Sequence, residues 1–243
     1  MTTTSHSPLV ILIAGHWLGA WAWDEVLAQP ALANANTVAV TLPGLDPDDD
    51  ARTTKNIGDQ AAAILRLIAE HGNQPTVLVA HSGANAPVSV VLDRHPELVG
   101  RVVWVDSGPV LPGSAFAPDF PEESPELPLP DFETLGQQAS LAGLSDQALE
   151  RFRLRAVPQP GPALRQAVEL TNDGRRRVPT TFVCCSISAK QVRELAQARH
   201  PMFAEVATLT DVAWVDLPTG HWPMWSTPRE LADVIAGAAR RAV

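Results

Sequence analysis

Thr76 to Ala80 is a short apolar, β-branched run, and Ser82 follows it between small residues, ahead of a stretch able to form a helix. The run reads as a buried strand. A serine at a sharp strand-to-helix turn has its hydroxyl pushed into the open, with the following N–H groups turned towards it. The close backbone contacts of such a turn demand small residues two before and two after the serine. Ala80 and Ala84 hold those places, where glycine is usual. Such a turn joins a buried strand to a helix.

The chain on either side agrees with that constraint. Leu9 to Ala14, Thr37 to Leu42, Thr76 to Ala80 and Arg101 to Asp106 read as strands. Between them, Trp21 to Leu32, Ile57 to Ala69 and Ala84 to Arg94 read as helices. The second has one apolar face of Ile57, Ala61, Ile64, Leu65 and Ile68. Pro87 falls in the first turn of the third, where its missing N–H matters little. Alternating strands and helices predict an α/β fold with a mostly parallel, doubly wound sheet covered on both faces.

The pattern breaks after Asp106. Ser107 to Pro130 holds seven prolines, a density that predicts no sheet and no long helix. Phe132 to Leu141, Asp146 to Ala156 and Pro162 to Leu170 read as short helices. We take residues 107–177 as an inserted cap, too poor in large apolar residues to form its own core. Residues 1–106 and 178–243 are then the main domain. In its second part Thr180 to Ile187 and Val212 to Leu217 are strands, and Lys190 to His200 and Pro228 to Arg241 are helices.

Composition excludes several classes of function. Net charge is −9 and the longest basic run is Arg175-Arg176-Arg177, which argues against a nucleic-acid partner. No apolar run approaches the roughly 20 residues of a membrane span, and the polar stretch Met1 to Pro8 lacks the pattern of a signal peptide. Asp46 to Asp50 crowds carboxylates without an ordered ligand spacing, so it reads as a surface turn rather than a metal site. Cys184 and Cys185 are adjacent in an apolar run and should point to opposite faces, as buried thiols in a reducing, cytoplasmic setting. No cofactor motif is present. The oligomeric state stays open, with a homodimer as one option.

A serine nucleophile needs a base. Of the seven histidines, His6 is in the N-terminal tail, and His71, His95 and His200 stand at helix ends, where a cation complements the dipole. His81 precedes Ser82, so its side chain should point away and pack or hydrogen-bond nearby. His16 and His221 remain. His221 lies in L-P-T-G-H-W-P, just after the last strand. Ligands bind at the carboxyl ends of the strands in a doubly wound sheet. Ser82 and His221 can therefore meet at one edge.

Four stretches together resemble the α/β-hydrolase superfamily, nearest its small esterase and hydroxynitrile lyase branch. They are A-G-H-W-L-G-A-W-A-W at 14–23, T-L-P-G-L at 41–45, A-H-S-G-A at 80–84 and P-T-G-H-W-P at 218–223. The resemblance implies an α/β-hydrolase fold with an inserted helical cap, and a hole for the oxyanion made by the backbone N–H groups of Gly83 and His16. His16 replaces a usual small residue. Its imidazole either packs under the loop, the reading we favour, or enters the pocket. The family usually places its acid in the loop after the strand at 180–187, but C-C-S-I-S-A-K-Q carries no carboxylate. Asp106 is the candidate instead, since some members carry the acid at the end of its strand. The alternatives are that Asp106 caps the following loop, or that Ser82 and His221 work as a dyad.

Trp17, Trp21, Trp23, Trp222 and Trp225 all fall in or near loops that should ring the site. Trp21 and Trp23 are expected in the core, Trp17 and Trp222 in an aromatic-walled substrate pocket. The expected activity is cofactor-free hydrolysis of an ester, lactone or thioester of a small apolar molecule. Lyase chemistry would call for a threonine at Gly15 and a lysine at Trp222. The missing acid leaves a second class open: a ligand-binding protein or a cofactor-free oxygenase.

Overall fold

The computed structural model describes residues 7–72 and 74–242; His6 and most of the Met1 to Pro8 stretch lie outside the described residues. The chain opens with β1 (Leu9–Ile13), α1 (Asp24–Leu27), β2 (Asn36–Val40), α2 (Ile57–Glu70), β3 (Thr76–His81), α3 (Asn85–Arg94) and β4 (Val99–Val105). The inserted segment holds β5 (Glu126–Leu127), α4 (Phe132–Gln138), α5 (Asp146–Arg155), β6 (Gln159–Pro160) and α6 (Gly161–Arg165). The sheet resumes with β7 (Thr180–Cys184), then α7 (Ala189–Gln197), β8 (Val212–Asp216), α8 (Pro223–Ser226) and α9 (Pro228–Arg240).

Six strands pair in the order β2-β1-β3-β4-β7-β8, and every pairing is parallel. Side chains alternate across them. Leu9, Ile11, Leu78, Trp104 and Phe182 face the layer formed by α2, α3 and α7. Val10, Leu12, Val79, Val103 and Val183 face α1, α8 and α9. The expected sheet with helices on both faces is thus present. Cys184 and Cys185 follow the same rule, joining opposite layers as free, buried thiols. Strand order reverses between β1 and β3, so a crevice opens outside the carboxyl ends of those two strands. No helix among the described residues is long and apolar enough to cross a membrane.

Three local expectations need correction. Trp21 to Leu32 is no single helix: 3-10 turns at Ala20–Trp23 and Pro30–Leu32 flank the short α1. Pro30 forces Gln29 into an extended conformation, which a continuous helix could not absorb. The insertion also contains sheet. β5 and β6 pair antiparallel, with Glu126 opposite Pro160, since a two-residue ladder can spare one N–H. The third helix there stops at Arg165, because Gln166 turns extended and spends its side-chain oxygen on the N–H groups of Ile57 and Gly58 at the start of α2. The insertion's buried residues divide between the two core layers: Leu135 and Phe152 join one, Val157, Ala163 and Val168 the other.

Candidate active site

β3 ends at His81, and the chain turns at Ser82 with φ +50°. That region is costly for a residue with a Cβ, but it lifts the hydroxyl clear of the sheet at the head of α3. Room for the turn comes from Gly15 on the neighbouring loop. A Cβ there would stand 2.7 Å from Ser82 Cβ and 3.0 Å from the Gly83 nitrogen. Ala84 is buried, with 1% exposure, so its small size is used for packing beneath the turn.

Ser82 Oγ lies 2.8 Å from His221 Nε2. His221 Nδ1 lies 2.7 Å from Asp106 Oδ2. The structure therefore brings together three residues from the ends of β3, β4 and the loop after β8. Asp106 sits at φ +43°, a conformation aspartate tolerates better than most residues. Its other oxygen accepts from the backbone N–H groups of Cys185 and Ser186 at 3.0 and 2.9 Å, and the Ser186 hydroxyl donates to Oδ2 at 2.6 Å. Burial pushes the Asp106 carboxyl up, but the hydrogen bonds and charge of His221 and the Ser186 donors outweigh it and hold it below its usual range. It stays ionised. The C-C-S-I-S loop, which lacks an acid, supplies donors to one instead.

His221 is held from both sides through its backbone. Its N–H donates to Ser140 O of the inserted segment at 2.7 Å. Its carbonyl accepts from His81 Nε2 at 2.8 Å. That bond fixes the proton of His81 on Nε2 and leaves Nδ1 buried without a partner. Burial, with His221 as the next cause, pushes the His81 imidazole down to about 3, so it is neutral. The remaining histidines lie elsewhere. His71 and His95 end α2 and α3. His200 follows α7, and its Nδ1 accepts from Met202 N–H, capping the next turn.

A cavity of about 520 Å³ opens at Ser82 and His221. Trp17 and Trp222 border it, with Leu135, Phe182, Ile187 and Phe203. No lysine or arginine lines it among the described residues. Trp17 is fixed by a hydrogen bond from its indole N–H to Leu127 O at 3.0 Å. Trp222 packs edge-on against His221, ring centroids 4.9 Å apart. Trp23 is buried, while Trp21 stacks on Trp225 at 5.6 Å, outside the cavity wall.

His16 departs from the expectation that its ring packs under the loop. The imidazole borders the cavity and meets the Phe116 ring edge to face at 4.3 Å. Only a glycine at position 83 leaves it space, since a Cβ there would stand 2.3 Å from the ring. Burial, and after it His221, push the imidazole down to about 4, so it too is neutral near pH 7. Asp46 and Asp49 accept hydrogen bonds from the backbone of their own turn. No group of three or more His, Cys, Asp or Glu side chains among the described residues is placed to hold a metal ion.

The chain is similar to several known proteins. In Arabidopsis thaliana, the chain is 23% identical over 260 residues to putative methylesterase 12, chloroplastic, covering 95% of this chain and 71% of that protein. It is 23% identical over 254 residues to methylesterase 9 of the same plant, covering 92% and 94%. Among solved structures, the Arabidopsis methylesterase MES16 matches with a TM-score of 0.72 at 15% identity, over 96% of this chain and 99% of that one. An extracellular alpha/beta-hydrolase from a Paenibacillus species, described as sharing homology with tobacco salicylic acid binding protein 2, matches with a TM-score of 0.72 at 19% identity, again over 96% and 99%. The model of the alpha/beta hydrolase family matches residues 10–234, nearly the whole chain, and the protein therefore belongs to that family.

Proposed function

We propose that this protein is a cofactor-free serine hydrolase that cleaves carboxylic esters of small apolar molecules through an acyl-enzyme on Ser82. The observation that carries the reading is the unbroken chain of contacts Ser82 Oγ–His221 Nε2 and His221 Nδ1–Asp106 Oδ2, at 2.8 and 2.7 Å. The names of the relatives add methyl esters as the first class to assay.

His221 Nε2 takes the Ser82 proton as Oγ attacks the ester carbonyl. Charge collects on the former carbonyl oxygen, beside the backbone N–H groups of Gly83 and His16. Collapse of the tetrahedral adduct breaks the bond to the alkoxy oxygen, which leaves with the proton held by His221. Water then attacks the acyl-enzyme, His221 takes its proton and returns it to Ser82 Oγ, and the carboxylic acid departs. Asp106 keeps its charge throughout, holding the imidazole tautomer and stabilising the imidazolium. An apolar wall without lysine or arginine favours neutral substrates.

The non-hydrolytic reading rested on the empty acid position, and the Asp106 carboxylate beside His221 weighs against it. Treatment with a fluorophosphonate tests the proposal. Wild type should be labelled and Ser82→Ala should not; equal labelling of the two would end it.

A further inference from the structure

The His16 side chain takes no part in the steps above, yet it occupies the middle of the site. It belongs to the loop after β1, whereas Phe116 belongs to the inserted segment. Their rings meet at 85° with centroids 4.3 Å apart. Beyond them lies a second cavity of about 90 Å³, walled by Ile57, Ala86, Val110, Ala163 and Val168 together with the polar Asn85, Ser114 and Gln166. The two cavities share only two lining residues, His16 and Phe116. One ring from the core and one from the insertion therefore form a partition.

The tetrahedral geometry decides which half of a substrate meets that partition. The leaving oxygen must face His221 Nε2 to receive its proton. The carbonyl oxygen faces the amides of Gly83 and His16. The acyl group takes the remaining direction. The second cavity is bordered by Gly83 and Asn85 and by none of Asp106, His221 and Trp222, so it opens away from the leaving group.

We propose that the His16–Phe116 pair sets the acyl-chain length this enzyme accepts, by closing the second cavity to the acyl group. The inference rests on the ester-hydrolase reading. His16 is the fixed leaf, seated on Gly83, where any side chain would strike the ring. Phe116, 62% exposed, is the leaf that can be removed with little cost to the fold. The second cavity leaves room for a short extension of the acyl chain. Each methylene newly buried should be worth roughly fourfold in kcat/KM.

The test is a series of p-nitrophenyl esters of linear acids of increasing length, run on wild type, His16→Ala, Phe116→Ala and His16→Phe. Either alanine variant should raise the ratio of kcat/KM for the longer over the shorter acyl chain by about tenfold or more, while His16→Phe keeps the wild-type ratio. Esters of one acid with alcohols of increasing size should show no such change. A parallel arm measures Kd for the unreactive primary amides of the same acids, where the same shift is expected. If wild type hydrolyses no ester, the ester-hydrolase reading fails while the amide arm still reads the partition. Folded alanine variants with an unchanged acyl ratio in both arms, or a shift confined to the alcohol series, would overturn the proposal.

Discussion

Ser82, Asp106 and Trp17 all carry positive φ angles, +50°, +43° and +65°, and all three border the same cavity. Strain of this kind costs of order 1–3 kcal/mol per residue and persists where the surroundings impose it. For Ser82 the sequence pointed to it, because a serine between small residues after a β-branched run, with His221 following the last strand, fits a strand-to-helix turn. For Asp106 it did not. A carboxylate at a strand end is as apt to cap the loop that follows it as to orient a histidine, and here Asp106 meets His221 through Oδ2 while Oδ1 accepts from two amides of the loop after β7 rather than of its own following loop. Asn in its place would keep the size and lose the charge that steadies the imidazolium. Asp106→Asn should lower kcat for a p-nitrophenyl ester by roughly 10³- to 10⁴-fold; steady-state kinetics check this, and a loss below tenfold would favour a dyad. The orientation of the His16 ring was not legible either, since its seat depends on Gly83 across the crevice and on Phe116 from the insertion, 100 residues further along the sequence.

At the scale of elements, the loop after β8 is the one most tightly determined by a partner. Gly220 N–H donates to Ala142 O at 3.1 Å and His221 N–H to Ser140 O at 2.7 Å, so the segment between β4 and β7 grips the loop carrying His221. A Cβ on Gly220 would stand 2.4 Å from Ala142 O and 2.6 Å from Ser140 O, both backbone atoms that cannot swing aside. Gly220→Ala should shift His221 and lower kcat by about 100-fold, with KM changed less. Kinetics read the split, and circular dichroism verifies that the fold is kept. The periodicity of α2 and the buried runs of β1, β3 and β4 were plain in the sequence, because a strand or helix writes its own period. The grip on His221 and the β5–β6 ladder were not, because such backbone pairings between distant segments leave no trace in side-chain pattern. The breaking of the first helix was signalled by Pro30 and followed from the residue before it.

For the whole molecule, the parallel sheet and the meeting of two loops at its carboxyl edge follow from the order of strands and helices alone. Its response to acid depends on what the fold buries. His16 and His81 are held at about 4 and about 3 against an ordinary value of 6.5, burial being the main cause in both. The unfolded chain therefore binds more protons than the native one below pH 6.5. The stability tied to keeping these rings neutral is intact above that pH and is lost as pH falls towards 4 and then 3, at up to about 1.4 kcal/mol per pH unit per group. Asp106, held low, adds a loss of the same sign at lower pH. Wild type should show a Tm that falls between pH 6.5 and 4.5, and His81→Leu should show a shallower fall; scanning calorimetry over that range measures both.

Everything chemical in this account passes through a covalent bond to one oxygen atom. Rapid quenching of the wild-type protein with a p-nitrophenyl ester, followed by mass analysis of the intact chain and its peptides, looks for that bond directly. The peptide holding Ser82 should gain one acyl group, and that of Ser82→Ala none. Turnover with no acylated peptide, or acylation that persists in Ser82→Ala, would contradict the acyl-enzyme on Ser82.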